Sequence, residues 1–286
     1  MSRVSGIRKL WIFLEMIKFE HTIFALPFAY AGALLATGGR ATPWQIFWIT
    51  LAMVGARTAA MAFNRLADAE LDAKNPRTRG RALPQRLLAK KEVWLYFMLA
   101  VALLLVSAAQ LNRLALFLSP VALFFLVFYS YTKRFTWACH LFLGWALGLA
   151  PIGAWLAVTG RIDWQVVVLG LAVTFWVAGF DVIYALQDVA FDQTEGLKSI
   201  PARFGVKRAL FWSLAFHLLT IVLFALVGAA MRLGPVYWIG LMVAAGLLIY
   251  EHAIIAPDDL GRINTAFFTV NGVLSVGYLL FTWAAL

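Results

Sequence analysis

Apolar runs of about 20 residues recur along this chain from one end to the other, each closed by a short polar connection. Wound as helices rising 1.5 Å per residue, runs of that length match the hydrocarbon core of a bilayer. Their positions predict nine spans, at about 20–38, 43–65, 92–110, 114–131, 136–157, 164–188, 208–230, 235–251 and 263–285. The ten-residue alternation of a membrane barrel is missing, so the expectation is an all-α integral membrane protein, a bundle of nine transmembrane helices. The first run lacks a small-residue cleavage site and reads as a retained helix rather than a signal peptide.

Composition sharpens this picture. With 63% hydrophobic and 13% charged residues among 286, an ordinary soluble domain is excluded, and residues 1–286 form one polytopic domain. A net charge of +10 would suit nucleic acid if the cations formed a patch. They gather instead in the connections: of 24 Lys and Arg, about 19 fall on the side of the N-terminus and four on the other. The positive-inside rule then puts the N-terminus of a multi-pass membrane protein in the cytoplasm, with no role for nucleic acid; the expected location is the cell inner membrane. Cys139, the single cysteine, excludes an internal disulfide and reads as a small buried residue.

Chemistry concentrates where two apolar runs end. Asn64, Asp68 and Asp72 recur every four residues, so on a helix they share one face. Asp181, Tyr184, Asp188 and Asp192, spaced by three, four and four residues, likewise share one face at the end of the sixth expected span. Spans two and six run in the same direction, so both clusters lie on the cytoplasmic side. Like charges at the mouth of an apolar segment repel and are costly to desolvate, so a cation is expected between them; Mg²⁺ carrying a phosphorylated ligand fits. The connections that follow, about 66–91 and 189–207, are the longest in the chain, set cations beside the acids, and are expected to cap the site.

Other residues admit two readings. Arg57, two helical turns deeper than Asn64 on the same face, meets either a diphosphate or anionic acceptor, or Asp68 in an internal ion pair. Lys133 and Arg134 form a basic turn that serves either topology or phosphate binding, and Tyr184 either bonds a phosphate or packs. His21, His140, His217 and His252 show no ligand spacing to one another, and His217 stands alone in an apolar span. Asn264 and Asn271 read as hydrogen-bonding glue between helices. No phosphate-binding glycine loop and no Ser/His/Asp arrangement is present.

These residues resemble the UbiA superfamily of intramembrane aromatic prenyltransferases. Asn64, Asp68 and Asp72, followed at the first position by Arg65, match its first motif. Asp181, Tyr184, Asp188 and Asp192 match its second, with Ala185 where some relatives carry an acid. Arg57, Tyr129, the Lys133–Arg134 turn and the run Gly196-Leu197-Lys198-Ser199 extend the likeness over most of the chain.

The resemblance implies a nine-helix bundle around a central cavity and an Mg²⁺-dependent transfer of a polyprenyl chain from its diphosphate to an aromatic ring. It implies Asn64, Asp68, Asp72, Asp181, Asp188 and Asp192 as metal ligands, with Asp68, Asp72, Asp188 and Asp192 catalytic. Arg65, Lys133, Arg134, Lys198 and Tyr184 would bind the diphosphate, and Arg57 the acceptor's carboxylate. The general likeness points to 4-hydroxybenzoate as acceptor, for ubiquinone. The stretch Phe19–Pro27 and the Gln187–Asp192 variant look like a subgroup that prenylates 1,4-dihydroxy-6-naphthoate for menaquinone. A reading of a different class is a transporter using the same acids to bind ions, although such sites favour broken helices near the midplane.

Overall fold

The computed structural model describes residues 6–18 and 24–286. The first helix, α1 (Gly6–Met16), is followed by α2 (Leu26–Thr37), α3 (Pro43–Ala67), the short α4 (Ala69–Lys74), α5 (Lys90–Leu111), α6 (Arg113–Thr132) and α7 (Cys139–Thr159). Next come α8 (Trp164–Ala185), a 3₁₀ turn (Leu186–Asp188), α9 (Val189–Thr194), α10 (Ile200–Phe204), α11 (Val206–Ala230) and α12 (Pro235–Ala253). A π-helical turn (Thr265–Val270) leads into the last helix, α13 (Asn271–Ala284).

Eight of the nine expected spans coincide, within a few residues, with helical segments long and apolar enough to cross a membrane. The first does not. Its described part is α2, twelve residues long, and its beginning lies in residues 19–23, outside the described residues together with the Phe19–Ile23 part of the N-terminal motif. Phe117, Phe211, Met242 and Ile249, each more than two-thirds exposed, stud the outer surface as a lipid-facing bundle requires.

Local sequence sets the ends of the elements. Thr42 and Gln45 cap each other's backbone ahead of Pro43 to start α3. Asn112 accepts from the Ala115 amide to start α6 and donates to the Leu156 and Ala157 carbonyls, tying α6 to the end of α7. α1 was not expected. Its Phe13 and Met16 pack with Ala59, Ala62, Val93 and Phe97 of α3 and α5 while Ile7 and Trp11 stay exposed, and Lys9 pairs with Glu92.

Glycines bring the two motif-bearing helices against their neighbours. A Cβ at Gly55 would meet the Ala100 carbonyl of α5 at 2.8 Å, and one at Gly144 would meet the Thr174 carbonyl of α8 at 2.1 Å. Only a bare backbone permits those approaches, the device by which membrane helices pack closely. α3 is thereby fixed on α5 and α8 on α7, and their motif ends emerge at one end of the bundle.

Candidate active site

Neither motif lies on one unbroken helix. α3 stops at Ala67 and Asp68 adopts φ −98°, ψ 6° before α4 begins. Hydrogen bonds from the Asp68 amide to Asn64 (2.9 Å) and from the Asp72 amide to Asp68 (2.7 Å) nevertheless carry the four-residue spacing across the break. The second motif begins in α8, passes through the 3₁₀ turn at Asp188 and ends in α9 at Asp192. Asn64, Asp68, Asp72, Asp181, Asp188 and Asp192 all line a single cavity of about 680 Å³.

Each acid has a partner. Asp68, buried, receives Lys133 Nζ at 2.6 Å, Arg134 at 3.3 Å and Asn64 Nδ2 at 3.3 Å. Asp72 takes Arg81 on both oxygens at 2.8 and 2.9 Å. Asp188 accepts from Asn75 Nδ2 at 2.9 Å and Arg77 Nε at 3.0 Å, with Arg77 Nη2 on its second oxygen. Asp192 accepts from Ser199 Oγ at 2.9 Å. Asp181 faces His140 Nδ1 at 2.7 Å; because His140 Nε2 receives the Ile200 amide, Nδ1 is the nitrogen that donates.

The two long connections meet over this cluster. Arg77 reaches from the first to Asp188 and the Tyr184 hydroxyl (3.0 Å), with its guanidinium 5.2 Å from the Tyr184 ring, and Lys74 pairs with Glu195 at 2.7 Å. Partial burial works against the Arg77 charge, but hydrogen bonding to Asp188 and the proximity of Tyr184 outweigh it, so its pKa stands above the usual guanidinium value.

A second cavity, about 460 Å³ and apolar, lies among α3, α5, α6 and α7. Arg57, Met61, Tyr129, Leu143 and Leu147 line both cavities. The polar chamber thus adjoins an apolar one, with an arginine and a tyrosine at the boundary.

The UbiA prenyltransferase family model matches residues 25–273. This chain belongs to that family. Among curated relatives, it is 30% identical to a 4-hydroxybenzoate octaprenyltransferase of Vibrio campbellii over 231 residues, covering 79% of this chain and 81% of the relative. It is 34% identical to the enzyme of that name from Methylobacillus flagellatus over 243 residues, covering 84% and 81%. Among solved structures it is similar to the apo UbiA homolog from Aeropyrum pernix K1, with TM-score 0.84 and 37% identity over 92% of this chain and 96% of that one. A UbiA homolog from Archaeoglobus fulgidus bound to DMAPP and Mg²⁺ shares the fold, with TM-score 0.72 at 22% identity over 96% and 98%.

In this UbiA-family chain the predicted residues are placed unevenly. Arg57, Arg65, Lys133 and Tyr184 line the polar cavity with the acids. Arg65 is buried and donates to the Met16 carbonyl at 3.2 Å, so part of its work is to hold the end of α1. Arg57 donates to the Lys18 carbonyl at 3.0 Å. Arg134 reaches the cluster through Asp68 and the Ala67 carbonyl.

Lys198 departs from its expected place: it is exposed, its Nζ donates to the Phe135 carbonyl at 3.3 Å, and it is not among the residues lining the cavity. The Lys198 amide, bonded to the Lys133 carbonyl at 2.7 Å, fixes the loop and turns the side chain outward. Lys198→Ala should therefore change turnover by no more than about twofold, as for an exposed substitution away from the chemistry; initial rates at saturating substrates check this.

Two lesser expectations change as well. Cys139 is half-buried on the cavity wall with Sγ 3.3 Å from the Lys198 carbonyl. His217 pairs with His252 at 2.9 Å across α11 and α12. The spacing of the motifs does not single out Asn75, Arg77, Arg81 or His140 as site residues, although the first three sit in an arginine-rich, turn-rich stretch next to an acidic motif.

The donor set suits a hard divalent cation, since carboxylate and amide oxygens dominate it. Among the described residues no three acidic, histidine or cysteine side chains already converge as a metal cage, because the cations draw the acids apart. The cavity lining holds six carboxylates and six Lys or Arg side chains. A diphosphate entering this balanced site adds negative charge that a divalent ion would offset, leaving the cations for phosphate oxygens.

Proposed function

We propose that the chain transfers a polyprenyl group from its diphosphate to the ring of an aromatic carboxylic acid, releasing diphosphate at the cytoplasmic face of a nine-span inner-membrane bundle. The observation that carries this reading is an acid-and-arginine chamber set directly beside an apolar cavity, with shared wall residues, which matches a ligand with a charged head and a hydrocarbon tail. Mg²⁺ held by Asn64, Asp68, Asp72, Asp181, Asp188 and Asp192 would supply electrostatic pull on the leaving oxygens.

The chain's own residues do the rest. Lys133, Arg134, Arg77 and Arg81, now held by carboxylates, lie where they can turn to the diphosphate, and the Tyr184 hydroxyl adds a donor. Arg65 keeps the floor of the site in place. The carbon–oxygen bond breaks with its electron pair leaving on the diphosphate, a ring carbon of the acceptor supplies the new bond, and the ring gives up a proton to water. No protein nucleophile is required.

Arg57, at the junction of the two cavities, suits the acceptor's carboxylate. Losing a charge-assisted hydrogen bond costs about 1.5–3 kcal/mol, so Arg57→Ala should raise the acceptor KM about 10- to 100-fold while the donor KM moves little. Steady-state kinetics with each substrate varied checks it; unchanged constants for both remove Arg57 from the site.

The names of the curated relatives support 4-hydroxybenzoate as acceptor, and the Gln187–Asp192 variant supports 1,4-dihydroxy-6-naphthoate. Purified protein, a polyprenyl diphosphate and Mg²⁺ assayed with each acid side by side decide between them by which prenylated product forms. Failure to couple either acid, with ion flux in liposomes instead, would favour a transporter.

A further inference from the structure

The π-helical turn Thr265–Val270 brings one aromatic ring to the acidic chamber. Phe267 lines the polar cavity with its ring centroid 4.2 Å from that of Tyr184. The rings of Phe180 (5.3 Å) and Phe24 (5.5 Å) meet it edge-on. Tyr184 in turn holds Arg77, the partner of Asp188. Phe267 therefore stands beside the place where the head of a diphosphate ligand would sit.

What keeps the turn wound is a buried side chain that the mechanism above leaves unused. Asn271, fully buried, donates Nδ2 to the Ala266 carbonyl at 2.9 Å and the Phe267 carbonyl at 3.3 Å. Its Oδ1 accepts Trp176 Nε1 of α8 at 2.6 Å, and Glu251 of α12, also fully buried, receives Nδ2 at 3.3 Å. A π turn is rare and occurs mostly as a single turn. Here one amide bonds two of its carbonyls and anchors the turn to two neighbouring helices, a large commitment of buried polar groups in an apolar span.

We propose that Asn271 is a positioning residue, which by holding Thr265–Val270 in the π turn seats Phe267 against Tyr184 as the aromatic wall facing the electron-poor carbon during transfer. This rests on the prenyl-transfer reading. An aromatic face attracts developing positive charge, and its bulk keeps water off the same carbon. Water attacking there would yield the prenyl alcohol, diphosphate and a proton, instead of the prenylated ring.

The test is the partition of donor between coupled product and alcohol, measured by chromatography for the full chain in detergent with Mg²⁺. Phe267→Leu, which keeps apolar volume but removes the ring, is expected to raise the alcohol share at least fivefold, and Asn271→Ala to do the same with the donor KM little changed. Phe267→Tyr, which restores the ring, is expected to return the wild-type partition. An unchanged partition in Phe267→Leu overturns the proposal, also where Asn271→Ala fails to fold. Wild-type protein that couples no acceptor overturns the prenyl-transfer reading before any variant is made, so the two failures are told apart.

Discussion

Asp188→Ala or Asp68→Ala abolishes turnover, lowering kcat by at least about 10²–10³-fold, the scale seen when one preorganised charge-stabilising group is lost from an active site. Each variant removes an oxygen donor from its own side of the chamber and frees a cation to bind diphosphate unproductively. The protein should remain folded. Removing one partner of a buried ion pair can cost about 3–5 kcal/mol, but here the orphaned groups are only partly buried: Lys133, Arg134 and Arg77 keep side-chain exposures of 31%, 33% and 30%. Arg77 also retains the Tyr184 hydroxyl. Thermal unfolding in detergent separates loss of chemistry from loss of fold, and full activity in both variants would remove the acids from the mechanism.

The second large effect concerns the tail. Gly153 of α7 lines the apolar cavity, and a Cβ built there meets no atom within 4 Å, so a larger side chain enters the open space without displacing its neighbours. Gly153→Phe should leave kcat/KM for a short donor such as geranyl diphosphate near wild type and lower it for a long polyprenyl donor about 10- to 100-fold, the discrimination a filled apolar pocket provides. Phenylalanine is also a better helix former than glycine, by a few tenths of a kcal/mol, so poor folding is not the expected cause of a loss. A Gly153→Phe variant that matches wild type with each of the two donors would show that the tail does not use this cavity.

Much of this arrangement was legible in the sequence, for identifiable reasons. Spans such as 43–65 and 235–251 were found within two residues of α3 and α12 because bilayer thickness filters helix length. The meeting of Asp68 and Asp188 in one cavity followed from span parity together with the four-residue spacing. α1 escaped because its eleven residues are too few to span and its apolar positions face two ways, Phe13 inward and Trp11 outward.

Partners escaped more often than positions. Nothing in the spacing tells Arg77 to choose Asp188, 111 residues away, or His217 to find His252 across two apolar helices. The outward turn of Lys198 depends on a backbone bond to Lys133 that no periodicity encodes. The helix breaks at Asp68 and at Leu186–Asp188 were equally invisible, since the acids keep their spacing through both.

Both acidic helix ends are expected to grip one diphosphate together. The measurement that decides this is a double-mutant cycle on Mg²⁺-dependent donor binding, with Asp68→Asn, Asp188→Asn and the double variant measured by calorimetry. Two groups on a common ligand should be non-additive by about 0.5–3 kcal/mol, and donor binding should vanish on chelating the metal. Strictly additive effects, or donor affinity indifferent to Mg²⁺, would contradict it.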